Sequence, residues 1–214
     1  MKTHPVLPFA HSPISRWKHL LVALVIAGVA ATTRGTTVIP PDFNKLVGQA
    51  DYIVRAVVKS VSAEKSSVGG RHITTKVELE VRQVIGGTPP QPLVLEMLGG
   101  TVGDETMTVE GAPIFKVGDE DILFIHGNGV QFTPLVALMH GRYPVKHDSA
   151  TGRDYVARSN GAPLYSEKDI GQPIEIPTAA AATVQAGAQP LSPDEFASRI
   201  HTALNQISRQ KLEN

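Results

Sequence analysis

The sequence predicts a mainly β protein, built as a small barrel or sandwich with a short helix before the strands and an amphipathic helix after them. Short apolar-rich runs recur roughly every 8–15 residues and are separated by turns rich in Gly and Pro. The clearest run, residues 74–82, alternates between charged side chains and apolar or threonine side chains. That period of two is typical of a strand with one solvated face.

The first 31 residues have the order of a secretory signal peptide. Basic residues in 1–19 precede an unbroken apolar run at 20–31, which ends in small residues that suit cleavage before Thr32. An apolar helix of this length rises only about 18 Å, too short for a hydrocarbon core of about 30 Å. We therefore expect an exported protein, periplasmic or secreted, with no stable membrane span after cleavage. The alternative is an envelope structural protein that keeps its N-terminus as an anchor.

Composition argues against several classes of protein. The chain has 214 residues, no cysteine, and 20 basic against 20 acidic residues. Without cysteine there is no disulfide framework, no cysteine-ligated zinc and no thiol nucleophile. Residues 1–31 hold three basic residues and no acid, so the remainder carries 17 basic and 20 acidic residues. That slight acidic excess argues against nucleic-acid binding, which needs a basic surface.

We assign residues 42–165 to the β domain, which opens with a short helix and two strands. Asp42 can cap a helix that ends near Gly48. Residues 51–61 have one apolar and one mixed face, which predicts a strand. The strand that starts at Thr74 is about ten residues long and could bend to serve two sides of a barrel.

Shorter strands fill the rest of the domain. Strand signals lie at residues 93–98, 106–109, 121–126 and 130–139. The tight-turn sequence Gly-Asn-Gly at 127–129 joins the last two, and Pro134 makes the final one an edge strand or a bulge. Residues 142–158 predict a hairpin with a glycine-containing loop.

The C-terminal part changes in character. Residues 166–191 contain four consecutive alanines and few apolar anchors, which indicates a linker. Ser192, Pro193 and Glu195 then give a cap, a proline at the first helical position and a capping-box acid. They begin an amphipathic helix over residues 192–210, which we expect to dock on the β domain. Binding to a partner is the alternative for this helix.

No motif in the sequence specifies a reaction. Nucleophile elbow, zinc-protease, phosphate-loop and dinucleotide signatures are all absent. His126, His140 and His147 sit at strand ends or turns, where surface histidines are the simplest interpretation. The alternative is a metal-dependent hydrolase that uses His126, His140 and the acids of residues 104–121. We expect no catalytic, cofactor-binding or metal-binding residue, and we favour a binding protein over an enzyme.

Residues 99–118 form the longest irregular segment inside the β domain. Their glycines suit turns that need positive φ, and loops on a rigid scaffold are where binding usually occurs. We therefore predict a binding loop formed by Gly99, Gly100, Asp104, Glu105, Gly111, Pro113 and Phe115.

The order of these patterns also resembles two known groups of proteins. The resemblance covers residues 42–147 and rests on LVGQADYIVRAVV at 46–58, TKVELEVRQVIGG at 75–87, GG at 99–100, GAPIFKVGDE at 111–120 and ILFI at 122–125. One group is a family of bacterial exported proteins without an assigned function. The other is the netrin-like module of the tissue inhibitors of metalloproteinases, an OB-type five-stranded barrel.

This resemblance implies a closed or partly open OB-like barrel over residues 42–165 with a non-catalytic role. A protein partner is then expected, such as an exported peptidase or another envelope protein. The inhibitors chelate the protease zinc through an N-terminal cysteine, and this chain has no cysteine. Their mechanism therefore does not transfer, and none of their functional residues maps onto this sequence.

Overall fold

The structure is a computed structural model in which residues 39–65, 72–174 and 188–213 are described. The predicted signal peptide, residues 1–31, lies outside the described residues. So do residues 175–187 of the predicted linker and residues 66–71 of the loop that follows the first strand.

The described residues contain one six-stranded antiparallel sheet and a small two-stranded ribbon. The sheet consists of β1 (Tyr52–Lys65), β2 (Ile73–Gly87), β3 (Leu93–Leu98), β6 (Glu120–Ile125), β7 (Arg142–Asp148) and β8 (Arg153–Val156). Its strand order is β3-β2-β1-β6-β7-β8. The ribbon pairs β4 (Gly100–Val102) with β5 (Glu105–Met107).

Two helices flank the strands in sequence. Helix α1 (Phe43–Gln49) begins where the Asp42 side chain accepts a hydrogen bond from the Lys45 backbone N–H at 2.8 Å. Helix α2 (Pro193–Glu213) begins after a reciprocal capping box between Ser192 and Glu195. Both caps satisfy backbone donors that a helix start leaves unpaired. Two short 3-10 turns lie at Leu138–Gly141 and Glu167–Asp169.

One face of the sheet is covered by both helices. An aromatic cluster joins them to the strands: the Phe196 ring centroid lies 6.2 Å from that of Phe43, 6.1 Å from that of Phe124 and 5.1 Å from that of Tyr143. Phe196 and Ile200 of α2 are fully buried. The expected docking of the C-terminal helix on the β domain is therefore confirmed.

The opposite face carries a second core. Its buried members come from the four strands β3, β2, β1 and β6 and from two connecting segments: Val54, Ala56, Val58, Val77, Leu79, Leu93, Leu95, Met97, Phe115, Leu123, Ile125 and Leu135. Successive side chains of a strand point to opposite faces. Ile53 accordingly belongs to the helix-covered core and Val54 to the second core.

The pairing of the two long strands, β1 and β2, is irregular. Three register shifts interrupt the pairing of β1 with β2, between Ile53 and Val54, between Arg55 and Ala56, and between Val58 and Ser60. Such bulges bend a strand and increase its twist.

The mainly β fold class is confirmed, but the sheet is not a closed barrel within the described residues. Strands β3 and β8 are its edges. The free edge of β3 is bonded by a loop, not by a strand. Asn128 donates to the Val94 carbonyl at 2.7 Å, and the Leu98 N–H donates to the Phe132 carbonyl at 2.7 Å.

The predicted strand at 130–139 is wrong. These residues contribute one isolated bridge, between Leu135 and Ile125, and then turn through positive φ at Ala137 and Leu138. Pro134 has no N–H to donate to a ladder. Beyond it, Gly141 lies so close to the chain that an added Cβ would fall 2.7 Å from the Val136 carbonyl oxygen, so the segment folds back on itself.

Three other predicted elements match closely. The strand at 93–98 has the predicted bounds, β6 is displaced from the prediction by one residue, and the hairpin at 142–158 is formed by β7 and β8. Among the helices of the described residues, none is long and apolar enough to cross a membrane.

Candidate functional site

A pocket of about 450 Å³ opens at one end of the second core. Its floor consists of the buried core residues Val77, Met97 and Phe115. One wall is the end of β1, with Val61 and Ala63, which extends beyond the part of β1 that pairs with β6. The other walls come from residues 98–101, 106–109 and 112–115. The pocket thus lies at one end of the second core and is partly open to solvent.

The side chains that line this pocket carry no charge. Its polar side chains are threonines, and most of their hydroxyls are bonded locally. Thr75 Oγ1 donates to the Gly99 carbonyl at 2.6 Å, and the Thr101 and Thr106 hydroxyl oxygens lie 3.0 Å apart. A charged ligand group would lose its hydration here without gaining a charged partner, which is costly. The lining therefore favours an uncharged apolar group.

The β4–β5 ribbon forms part of the pocket because Gly100 lets it approach the sheet. Gly100 has φ of 135°, and an added Cβ would lie 2.3 Å from Thr75 Oγ1 and 3.1 Å from the Ala63 Cβ. Only glycine adopts this backbone conformation readily and leaves that space free. A salt bridge of 2.7 Å between Lys65 Nζ and Glu105 Oε1 holds the ribbon to β1 from outside.

The segment 112–118 forms the outer wall, and Arg142 of β7 reaches it. The Arg142 guanidinium bonds the Ile114 carbonyl, and its central carbon lies 4.5 Å from the Phe115 ring centroid. Farther along, the Gly118 N–H donates to the Val58 carbonyl at 2.9 Å. The wall is thereby attached to both β7 and β1.

Four of the seven residues of the predicted binding loop line the pocket: Gly99, Gly100, Pro113 and Phe115. Asp104 and Glu105 are exposed at the ribbon tip, outside the lining. Gly111 also lies outside it, where an added Cβ would be 3.2 Å from Leu138 Cδ1.

Sequence reasoning missed the contribution of β1 and β2, which comes from Val61, Ala63, Thr75 and Val77. The available signal was the unusual length of these two strands. When a strand extends beyond its neighbour in a sheet, its unpaired end must face solvent or line a cavity.

Two of the three histidines singled out from the sequence, His126 of the alternative metal site and His147, lie beside a carboxylate. His126 Nδ1 lies 3.2 Å from Asp51 Oδ1, and His147 Nδ1 lies 2.8 Å from Asp154 Oδ1. His140 is buried, and burial followed by the nearby Arg158 charge lowers its pKa. Within the residues described, no group of three or more His, Asp or Glu side chains could hold a metal ion.

The acids near the end of the predicted loop are engaged by arginines. Glu120 Oε1 accepts from Arg55 Nε at 2.6 Å. Asp119 and Asp121 each accept from Arg142 at 2.8 Å. These ion pairs connect the start of β6 and the turn before it to β1 and β7.

Two other depressions have mixed linings. One of about 510 Å³ borders Gln49, Asp51 and His126, and one of about 260 Å³ borders Lys146 and Asp154. Because the pocket at the end of the second core combines an uncharged lining with a floor of buried core residues, it is the better candidate site.

Comparison of the chain with protein-family models, with curated proteins and with solved structures finds no match. The function must therefore be argued from the pocket itself.

Proposed function

We propose that the protein is an exported, non-catalytic binding module whose pocket accepts an uncharged apolar group presented by a protein partner. The observation that carries this proposal is the uncharged pocket, floored by core residues and bordered by exposed apolar side chains. Its volume of about 450 Å³ lies within the range of roughly 300–1,000 Å³ that ligand pockets occupy.

Exposed apolar residues around the pocket favour a protein as the source of that group. Ile114 and Val61 line the pocket and are 79% and 37% exposed. Val117, in the same wall segment as Ile114, is 67% exposed. Phe132 is 73% exposed, and its carbonyl is bonded to the pocket-lining Leu98. Contiguous exposed apolar side chains mark contact surfaces for other macromolecules, and Ile114 and Val61 meet at this pocket.

The export and fold-family parts of the proposal rest on the sequence. The signal-like order of residues 1–31 supports export. An open six-stranded sheet whose edge strand β3 is bonded to the loop after β6 is compatible with a partly open OB-like barrel of the netrin-like kind. An exported peptidase or another envelope protein is the partner class that this likeness suggests.

Cell fractionation and N-terminal sequencing of the native product test export. The expected product is soluble, outside the cytoplasm, and begins near Thr32. A membrane-bound product that retains residues 1–31 would favour the anchored structural protein instead.

Binding of the neutral fluorescent probe N-phenyl-1-naphthylamine tests the pocket. At about 0.3 kcal/mol for each of its ~17 non-hydrogen atoms, the probe gains about 5 kcal/mol, which corresponds to a Kd of about 0.2 mM. Thr108→Trp at the pocket should abolish probe binding, whereas the matched Thr202→Trp on the exposed side of α2 should not. Equal binding by both variants would show that the probe binds elsewhere.

Site-specific photocrosslinking tests whether the partner is a protein. A benzophenone side chain at Ile114 should capture a protein from the exported fraction, and one at Leu212 should not. Both positions are exposed apolar residues, 79% and 87% respectively, and only Ile114 lines the pocket. If Ile114 captures nothing while the probe still binds, the pocket takes a free small molecule and the protein-partner proposal is refuted.

A further inference from the structure

Arg142 occupies an unusual position between the sheet and the outer wall of the pocket. Its side chain is only 11% exposed, and all three guanidinium nitrogens are bonded. Nε donates to Asp121 Oδ1 at 2.8 Å, and Nη2 donates to Asp119 Oδ2 at 2.8 Å. Nη1 donates to the Ile114 carbonyl at 2.5 Å. The planar fork of an arginine suits such simultaneous, directional contacts.

The wall depends on this side chain for its attachment to β7. Ile114 and Phe115 both line the pocket, and the Arg142 guanidinium carbon lies 4.5 Å from the Phe115 ring centroid. A cation placed over a ring face at this distance is attracted to it. Within the described residues, the hydrogen bond that reaches the backbone of residues 113–115 is the one that Arg142 donates to the Ile114 carbonyl.

The two carboxylates fix the guanidinium in turn. Asp121 is fully buried on β6, and its Oδ2 has no hydrogen-bond partner among the described residues. Asp119 Oδ2 also accepts from the Lys116 N–H at 3.1 Å, which closes the turn after the wall. Asp121 of the sheet and Asp119 of the next turn therefore orient the guanidinium towards the wall.

We propose that Arg142 is the positioning residue of the pocket: it holds Ile114 and Phe115 in the conformation that binds the apolar group. This inference rests on the proposed function of the pocket. Arg142 contacts the wall and does not itself line the pocket. Its effect on binding is exerted through Ile114 and Phe115.

The test compares Arg142→Lys with the matched Arg55→Lys in the full chain. Lysine keeps a positive charge beside the buried Asp121, so the variant is expected to fold. It cannot reproduce three directional bonds and the stacking on Phe115. Arg55 is also a partly buried arginine bonded to an acid of β6, Glu120 at 2.6 Å, and it does not contact the pocket wall.

Amide hydrogen exchange and probe binding are measured at a temperature at which both variants are folded. In Arg142→Lys we expect exchange at the bonded amides of the wall, Ala112 and Lys116, to rise about 10-fold. Probe affinity should fall about 10-fold, as loss of one charge-assisted hydrogen bond predicts. Exchange in β2 should stay unchanged. In Arg55→Lys both values should stay within about 2-fold of the parent protein.

Unchanged exchange at the Ala112 and Lys116 amides in Arg142→Lys, or an equal rise in Arg55→Lys, would refute the positioning role. If the parent protein does not bind the probe, the proposed pocket function fails. The exchange comparison still tests Arg142 in that case, so the two failures are distinguishable.

Discussion

Replacement of Phe196 by alanine should severely destabilise the protein. Phe196 is fully buried, and its ring centroid lies within 6.2 Å of three other aromatic rings, those of Phe43, Phe124 and Tyr143. Truncation of a core phenylalanine to alanine costs about 3–5 kcal/mol of unfolding free energy, through lost transfer energy and the cavity that remains. Alanine favours helix at least as much as phenylalanine, so helix propensity does not add to the loss.

Thermal and urea unfolding followed by circular dichroism measure this effect. For a chain of this size, 1 kcal/mol corresponds to about 2–4 °C in Tm, so the expected decrease is about 6–20 °C. The matched control is Leu212→Ala on the same helix, where the side chain is 87% exposed and the expected change is below about 0.5 kcal/mol. A Phe196→Ala protein within 1–2 °C of its parent would show that α2 does not pack on the sheet, and would refute the assignment of the helix-covered core.

Two further predictions concern the pocket and pH. Gly100→Ala should lower the free energy of unfolding by about 1–3 kcal/mol from backbone strain alone. It should also abolish probe binding in a titration, because the new Cβ would displace Thr75 Oγ1. The control Gly103→Ala, where a Cβ meets nothing within 4 Å, should still bind the probe. Burial and the Arg158 charge lower the pKa of His140 below its ordinary value of 6.5, so the unfolded chain binds this proton more readily than the folded protein. The contribution of neutral His140 to the free energy of unfolding is therefore fully present above pH 6.5. It decreases as the pH falls below 6.5, with a slope of at most about 1.4 kcal/mol per pH unit. His140→Gln should flatten the dependence of Tm on pH between 7 and 5, and an unchanged slope would contradict the assignment.

Local patterns in the sequence predicted those elements whose environment is simple. Alternation identified β2, because one of its faces is partly solvated over most of its length. Cap residues identified α2, since Ser192 and Glu195 bond each other across one helical turn. Both signals arise from neighbours in the chain, which a sequence displays directly.

Features that depend on distant contacts could not be predicted in the same way. The apolar run at 130–139 resembles a strand, but Pro134 and the close approach at Gly141 prevent a ladder. The pairing of Arg142 with Asp119 and Asp121 joins residues more than 20 positions apart, and nothing in the local pattern distinguishes these charges from solvated ones. Four residues of the candidate loop line the pocket. Two of them, Gly99 and Gly100, were visible in the sequence because glycine marks positions that require positive φ.

The opposite orientation of two adjacent residues in β1 has a consequence for how the molecule unfolds. Ile53 is anchored among the side chains beneath the helices, and Val54 among those beneath the pocket. Strand β1 cannot separate from one set without exposing the other, so the two halves should melt as one cooperative unit. A chain shortened before Pro193 would then lose its pocket as well as its last helix, although α2 contributes no residue to the pocket lining.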